Sequence, residues 1–230
     1  MKILAIEASA KAASACICED GKILGEVFLN CGLTHSVTVM PSVEWLLKTA
    51  SLTLADIDRI AITRGPGSFT GLRIGMAAVK GLAFGAGIPC CGVSTLECAA
   101  YGAKDCGKII CAVMDARAGQ VYNALFSTGG GSLKRLCPDR AIKISELYDE
   151  LDGYDDIVLT GDGALLCHEA MGKRYTVAPE HVRYQRAAYV AALCSGSETE
   201  CVSAQELTPE YIRLPQAERE RLERIKKEGI

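Results

Sequence analysis

The alternation of apolar and polar positions opens with three strand-like runs: residues 2–9, KILAIEAS, then 13–20, ASACICED, then 22–30, KILGEVFLN. The first ends at an acid. Asp20-Gly21 separates the second and third, and an Asp-Gly pair between apolar runs is a two-residue hairpin signal. A helix is predicted over about 35–50, with Thr34 as its N-cap and Pro41 bending or loosening it. Residues 58–65 read as a buried strand, which feeds a glycine-rich loop, a helix to about Gly85 and another strand at 88–94. Ser94 and Glu97 fit a capping box for a helix near 95–103.

The pattern then begins again. Residues 108–126, KIICAVMDARAGQVYNALF, are an apolar strand ending in an acid, a short turn and a second strand, as in residues 2–17. Glu7 and Asp115 take matching places. Residues 156–166, DIVLTGDGALL, echo 59–72, a buried strand running into a glycine turn and a helix. The ordered repetition predicts an α/β chain of two hairpin-first lobes. The boundary falls near 101–107, so 1–104 is the N-terminal lobe, 105–200 the C-terminal lobe and 201–230 a tail with a charged helix at 216–228. The mixed signs of that helix describe a solvated face.

Composition narrows the function classes. The 230 residues are 49% apolar and 23% charged, with a net charge of -3. A chain that grips nucleic acid alone carries a basic excess, and none is visible here. The pattern of the 12 cysteines does not read as a disulfide framework, and with no C-x-x-C pair a zinc ribbon or thioredoxin-type site is not expected. The cysteines read as small buried hydrophobes in a reducing cytosol. The N-terminal run is a strand ended by Glu7 rather than a signal peptide, and no span long and apolar enough for a membrane is expected, which predicts a cytoplasmic protein.

The stretch Ile62–Gly87 holds seven glycines in 26 residues. It does not match the P-loop, which needs a Gly-Lys pair, nor the G-x-G-x-x-G fingerprint, since Thr70 stands where the third glycine belongs. On the helix itself Gly71, Gly75, Ala78, Leu82 and Gly85 recur at steps of four and three and form one mostly small stripe. Glycine in a helix costs about 1 kcal/mol against alanine, so close approach of another backbone has to compensate. Packing within the chain's own lobe and packing against a partner both satisfy that need.

His35, His168 and His181 lack metal spacing; four residues after His35 stands Val39. No metal and no catalytic residue is predicted, because no serine or cysteine has a base nearby in sequence. Glu7 and Asp115 end strands where α/β folds bind ligands, or else cap loops, and Gly161 and Gly163 of TGDGA either approach a nucleotide or form a tight turn.

Residues 65–75, GPGSFTGLRIG, closely resemble the hallmark of the TsaB (YeaZ) family, and LAIEAS (4–9), THS (34–36), MDARAGQVY (114–122), TGDGA (160–164) and PEYIR (209–213) match it in order along nearly the whole chain. The resemblance implies a two-lobed actin-like, Hsp70-like ATPase (ASKHA) fold with duplicated RNase H-like lobes. It implies a part in making N6-threonylcarbamoyladenosine at position 37 of tRNAs that read codons beginning with A, beside a catalytic sister, TsaD, and a small ATPase, TsaE. The sister binds metal through an H-x-x-x-H pair. His35 takes the place of its first histidine and Val39 that of its second, which implies a non-catalytic relative and disfavours the older peptidase label.

The resemblance further implies pairing with the sister, and with itself when alone, through the first two helices. Thr34, His35, Ser36, Ser68, Gly71, Gly75, Ala78, Leu82 and Gly85 are the candidate interface, and Gly75→Arg is expected to block assembly while the lobes stay folded. No intrinsic cofactor is implied; ATP or ADP would bind within the assembled complex, near Glu7, Asp115, Gly161 and Gly163. tRNA would be gripped mainly through the complex. The alternative is a nucleotide-binding ATPase or phosphotransferase of the same fold, against which the glycine-free turn SAKAAS (9–14) counts.

Overall fold

The computed structural model describes residues 1–196 and 200–213. Strands β1 (Lys2–Glu7), β2 (Ala13–Glu19) and β3 (Lys22–Leu29) form the antiparallel meander that the opening runs predict. Asp20 and Gly21 make the turn with φ of 48° and 82°, the left-handed pair that a tight hairpin requires. Helix α1 (His35–Thr49) leads to β4 (Arg59–Gly65), α2 (Phe69–Ala86) and β5 (Cys90–Ser94). Strand β4 pairs parallel with β1, and β5 with β4, so the sheet order is β3-β2-β1-β4-β5.

The second sheet repeats that order. After α3 (Thr95–Gly102) come β6 (Ile109–Asp115), β7 (Gln120–Gly129), β8 (Ser132–Arg135), β9 (Arg140–Lys143), α4 (Ile144–Leu151), β10 (Ile157–Thr160), α5 (Ala164–Ala170), β11 (Thr176–Val177), α6 (Glu180–Arg183) and α7 (Ala187–Leu193). The order is β11-β10-β6-β7-β8, with β9 also on β7. Strands β6, β7, β8, β10 and β11 thus stand in the relation of β1, β2, β3, β4 and β5, the duplicated RNase H-like arrangement of the actin-like fold. Glu7 ends β1 and Asp115 ends β6.

Period-2 alternation makes both faces of each sheet apolar, so each needs a layer on both sides. In the first sheet Leu4 and Ile6 face α1 and α2, packing with Val39, Val43, Met76 and Val79. Ile3 and Ala5 face the other way, against Ala187, Val190 and Ala191 of α7. Helix α7 therefore returns from the far end of the chain to close the first sheet. Conversely, α3 lays Leu96, Ala99 and Ala100 against Ile110, Ala112 and Phe126 of the second sheet. Helices α4 and α5 cover its outer face, where Cys111, Val113 and Leu125 meet Leu147 and Cys167.

Local signals differ from expectation at a few points. Thr34 stands at the N-cap of α1 with extended φ and ψ of -74° and 145°, but its side chain makes no capping bond. Ser94 does cap α3, its hydroxyl accepting from the Glu97 N–H at 3.2 Å, while the Glu97 carboxylate turns to Arg135 at 2.9 Å instead of closing the box. Seven of the free cysteines are buried, as a hydrophobic role requires; burial pushes the Cys16, Cys167 and Cys194 thiols up to about 12. Cys91 and Cys201 depart from that role and form a disulfide between β5 and the segment after α7, because the fold brings together two residues 110 apart in sequence. The charged helix predicted at 216–228 lies outside the described residues.

Candidate functional site

The glycine-rich stretch folds against its own chain. A methyl group added at Gly67 would overlap the carbonyl oxygen of Ser9, one at Gly71 that of Ala8, and one at Gly65, where φ is +129°, that of Glu210. At Gly75 it would press to 3.1 Å on both Ala8 Cβ and Ile62 Cδ1. The loop and first turns of α2 are therefore a bed for the β1–β2 turn, and backbone-to-backbone approach is what excludes a side chain there. The Ser68 N–H donates to the Ser9 carbonyl at 2.6 Å, and the Ser68 hydroxyl caps α2 by accepting from the Gly71 N–H at 3.3 Å.

His35 completes this bed from α1. Its Nε2 lies 2.8 Å from the Ala10 carbonyl oxygen, which can only accept, so Nε2 carries the proton. Val39, where a metal-binding relative would place a second histidine, is 2% exposed and part of the apolar core. Among the described residues no cluster of three metal-ligating side chains exists.

The candidate interface residues divide accordingly. His35, Gly71 and Gly75 are buried within the first lobe, and Ala78 and Leu82 are half-buried against its core. His35, Gly71 and Gly75 point inward, where helix α2 uses its glycines to approach the β1–β2 turn and β4, while Ala78 and Leu82 keep part of their surface open. Gly75→Arg would consequently disrupt the lobe itself. Thr34, Ser36, Ser68 and Gly85 are exposed. Large apolar side chains stand exposed on the two helices, Val37 at 57%, Met40 at 41% and Trp45 at 56% on α1 and Phe84 at 70% on α2, the last beside residues 201–205. The sequence signal for them was available in the large apolar residues that fall between the buried positions of each helix.

Between the lobes lies a cleft of about 600 Å³, bounded by the two hairpin turns, the start of α2 and residues 210–213. Glu7 sits beneath its floor, fully buried. Its Oε1 accepts from the Ser9 N–H at 2.8 Å, from the Ser9 hydroxyl and from Thr63 Oγ1 at 3.2 Å, while Oε2 has no partner among the described residues. Burial pushes its carboxyl up to about 7, against the pull of those three donors. Asp162, on the cleft wall, is raised to about 6 by burial and by the nearby Asp115 carboxylate. Asp115 is spent locally, accepting from the Arg117 N–H at 2.7 Å and pairing with the Arg117 guanidinium at 3.5 Å. Gly161, at φ +96°, and Gly163 lie close against the backbone of Val113, Met114 and Asp115 at the end of β6. Lys11 is the cationic group of the first hairpin on this cleft, and Arg213 reaches across it to donate to the Ala116 carbonyl at 2.8 Å.

Comparison with known proteins agrees with this architecture. Residues 30–219 match a protein-family model described as TsaD, tRNA N6-adenosine threonylcarbamoyltransferase. The tRNA threonylcarbamoyladenosine biosynthesis protein TsaB of Bacillus subtilis is 30% identical over 223 residues, 95% of this chain and 96% of that protein. The Escherichia coli protein of the same name is 43% identical over 124 residues, 53% of each chain. Among solved structures, YeaZ from Pseudomonas aeruginosa superimposes with a TM-score of 0.79 at 26% identity, covering 91% of this chain and 99% of that one. With relatives matched end to end and a duplicated fold whose glycine motif seats the first hairpin, the chain belongs to the TsaB (YeaZ) family.

Proposed function

We propose that this protein acts in tRNA N6-threonylcarbamoyladenosine biosynthesis as a non-catalytic subunit that pairs with a TsaD-like transferase, with a TsaE-like ATPase joining the assembly and tRNA held mainly through the complex. The observation that carries the reading is the set of large apolar side chains exposed on α1 and α2, Val37, Met40, Trp45 and Phe84, at 41–70%. Large apolar side chains exposed on two adjoining helices are suited to a protein partner. The same helices serve self-association when the partner is absent, by two-fold pairing. A non-catalytic role is supported by His35, whose proton-bearing nitrogen is used on the Ala10 carbonyl, and by Val39 in the core. The names of the relatives place them in the same biosynthesis.

The second reading, a nucleotide-hydrolysing member of the actin-like fold, draws on the cleft and its acids. It takes second place because the β1–β2 turn directs its Ser9 and Ala10 carbonyls into bonds with Ser68 and His35, and a phosphate loop offers free N–H groups instead. A nucleotide in the assembled complex would meet this cleft near Asp115 and Asp162.

The test is affinity capture from native cells followed by mass spectrometry. A histidine-pair relative in near-equal amount, lost with Phe84→Asp while the fold is kept, supports the subunit role. A chain captured alone at native abundance and low salt refutes it.

A further inference from the structure

Residues 201–213 run as a strap over the edge of the first sheet and across the interlobe cleft. At its root, Val202 pairs with Cys90 of β5 through two backbone bonds of 2.8 Å, one in each direction. Ala204 and Leu207 then bury in the core on the α1–α2 side, at 8% and 3% exposure. Further on, the Glu210 N–H donates to the Arg64 carbonyl at 2.7 Å, Tyr211 stacks on Phe69 at 4.8 Å between ring centroids, and Arg213 crosses to Ala116 of the second lobe. The strap thus holds one lobe at its start and the other at its end, and its last four described residues wall the cleft.

Cys201 is where this strap crosses from the α7 side of the sheet to the α1–α2 side. Cys201 itself packs on the apolar layer under α7, and its successors Val202, Ala204 and Leu207 on the opposite layer. Cys91 points into the α7 layer from β5, fully buried, with a Cα–Cα separation from Cys201 of 4.6 Å, inside the ordinary range for a bonded pair. The bond fastens the strap's root to the sheet edge at the one point where backbone pairing is a single bridge. Ten other cysteines in the chain are free, so the pairing is particular to this crossing.

We propose that Cys91 and Cys201 form a redox-set anchor for the strap, so that thiol–disulfide exchange at this pair governs how firmly residues 201–213 cover the interlobe cleft. An external dithiol supplies the two electrons. Its thiolate attacks the half-buried Cys201 sulfur, and Cys91 leaves as a thiolate and takes a proton. The dithiol's second thiolate then releases Cys201 and closes its own disulfide. Two protein thiols and one oxidised dithiol result. In the opposite direction a disulfide of low molecular weight oxidises the pair. Freed of its covalent root, the strap is held by the Val202 bridge, the buried side chains of Ala204 and Leu207 and the noncovalent contacts of Gln205, Glu210, Tyr211 and Arg213 alone, and its hold on Arg64 and Ala116 loosens.

The experiment uses the full chain, with the exposed Cys31 and Cys106 replaced by serine to prevent scrambling. Peptide mapping without reductant, after treatment with oxidised glutathione, is expected to recover a Cys91–Cys201 linked pair. Hydrogen exchange at the Val202 and Glu210 amides is expected to speed up about tenfold or more on adding dithiothreitol, with β1 amides unchanged. Cys201→Ser should show the fast exchange without reductant and no response to it. The proposal is overturned if both thiols are alkylated after the oxidant, or if exchange at Val202 and Glu210 is the same in the oxidised and reduced wild-type background, a comparison that does not depend on the variant folding. Neither result bears on partner capture, so this inference and the subunit role stand or fall separately.

Discussion

His35 donates from Nε2 to the carbonyl oxygen of Ala10 across 2.8 Å, tying the first turn of α1 to the β1–β2 turn. The imidazole also lies against Gly71 of α2, where an added methyl would come within 2.9 Å of its Cδ2. Three elements therefore meet at one ring. His35→Ala would leave the Ala10 carbonyl unpaired and open a void, at an expected cost of about 2–4 kcal/mol. Denaturant unfolding checks this, and the metal content of protein purified from native cells should be the same in both forms.

Gly71→Ala places a methyl on the Ala8 carbonyl oxygen, which the buried turn cannot move aside cheaply. The expected loss is about 2–4 kcal/mol. Gly75→Arg should prevent folding, seen as loss of the cooperative thermal transition. A folded Gly75→Arg variant that merely fails to associate would restore the outward reading of the stripe.

Phe84→Asp and Trp45→Lys change exposed side chains at 70% and 56% accessibility. Stability should shift by about 0.5 kcal/mol or less, as for surface positions in general. Sedimentation should nevertheless show weaker self-association, by about tenfold or more for a residue at the centre of an interface. Unchanged sedimentation in both variants would remove these positions from the interface.

Glu7 links stability to pH. Burial raises its carboxyl from 4.5 to about 7, so between those values the folded chain holds a proton that the unfolded chain releases. The contribution of Glu7 to stability is then fully present below about pH 4.5 and is lost as pH rises to about 7, by roughly 3 kcal/mol. Glu7→Gln removes the change. The difference in unfolding free energy between wild type and Glu7→Gln, followed from pH 4.5 to 7.5, should slope in that sense; a flat difference would mean that the carboxyl ionises inside the fold without penalty.

Much of the architecture was legible in order and spacing. Asp20-Gly21 announced the first hairpin because few residues tolerate two successive left-handed positions, and the recurrence of an acid-ended strand before a second hairpin announced the duplication. Asp115 and Glu7 matched in place but not in state. One is held by Arg117 near solvent and the other lies fully buried, a difference that depends on what packs over each strand end. The glycine motif was legible as a close-approach device, yet its direction was not. A stripe at steps of three and four is equally compatible with facing in or facing out, and the residues that decide, Ala8, Ser9 and Glu210, are distant in sequence from the helix.

The sequence by itself determined the opening meander, the main strands and helices of the first half, the repeated hairpin and strand-turn-helix of the second and the family, because these rest on local backbone preference, apolar periodicity and a long specific motif. The other strands and helices after residue 130, α7 among them, are too short to carry such a signal. Only the tertiary structure decided that α3 and α7 exchange sheets, that Gly71 and Gly75 serve the chain's own hairpin, and that Cys91 meets Cys201. Each of these depends on which surfaces are brought together after the chain collapses, and the burial of two-faced sheets sets that through residues as far apart in sequence as Ile3 and Val190.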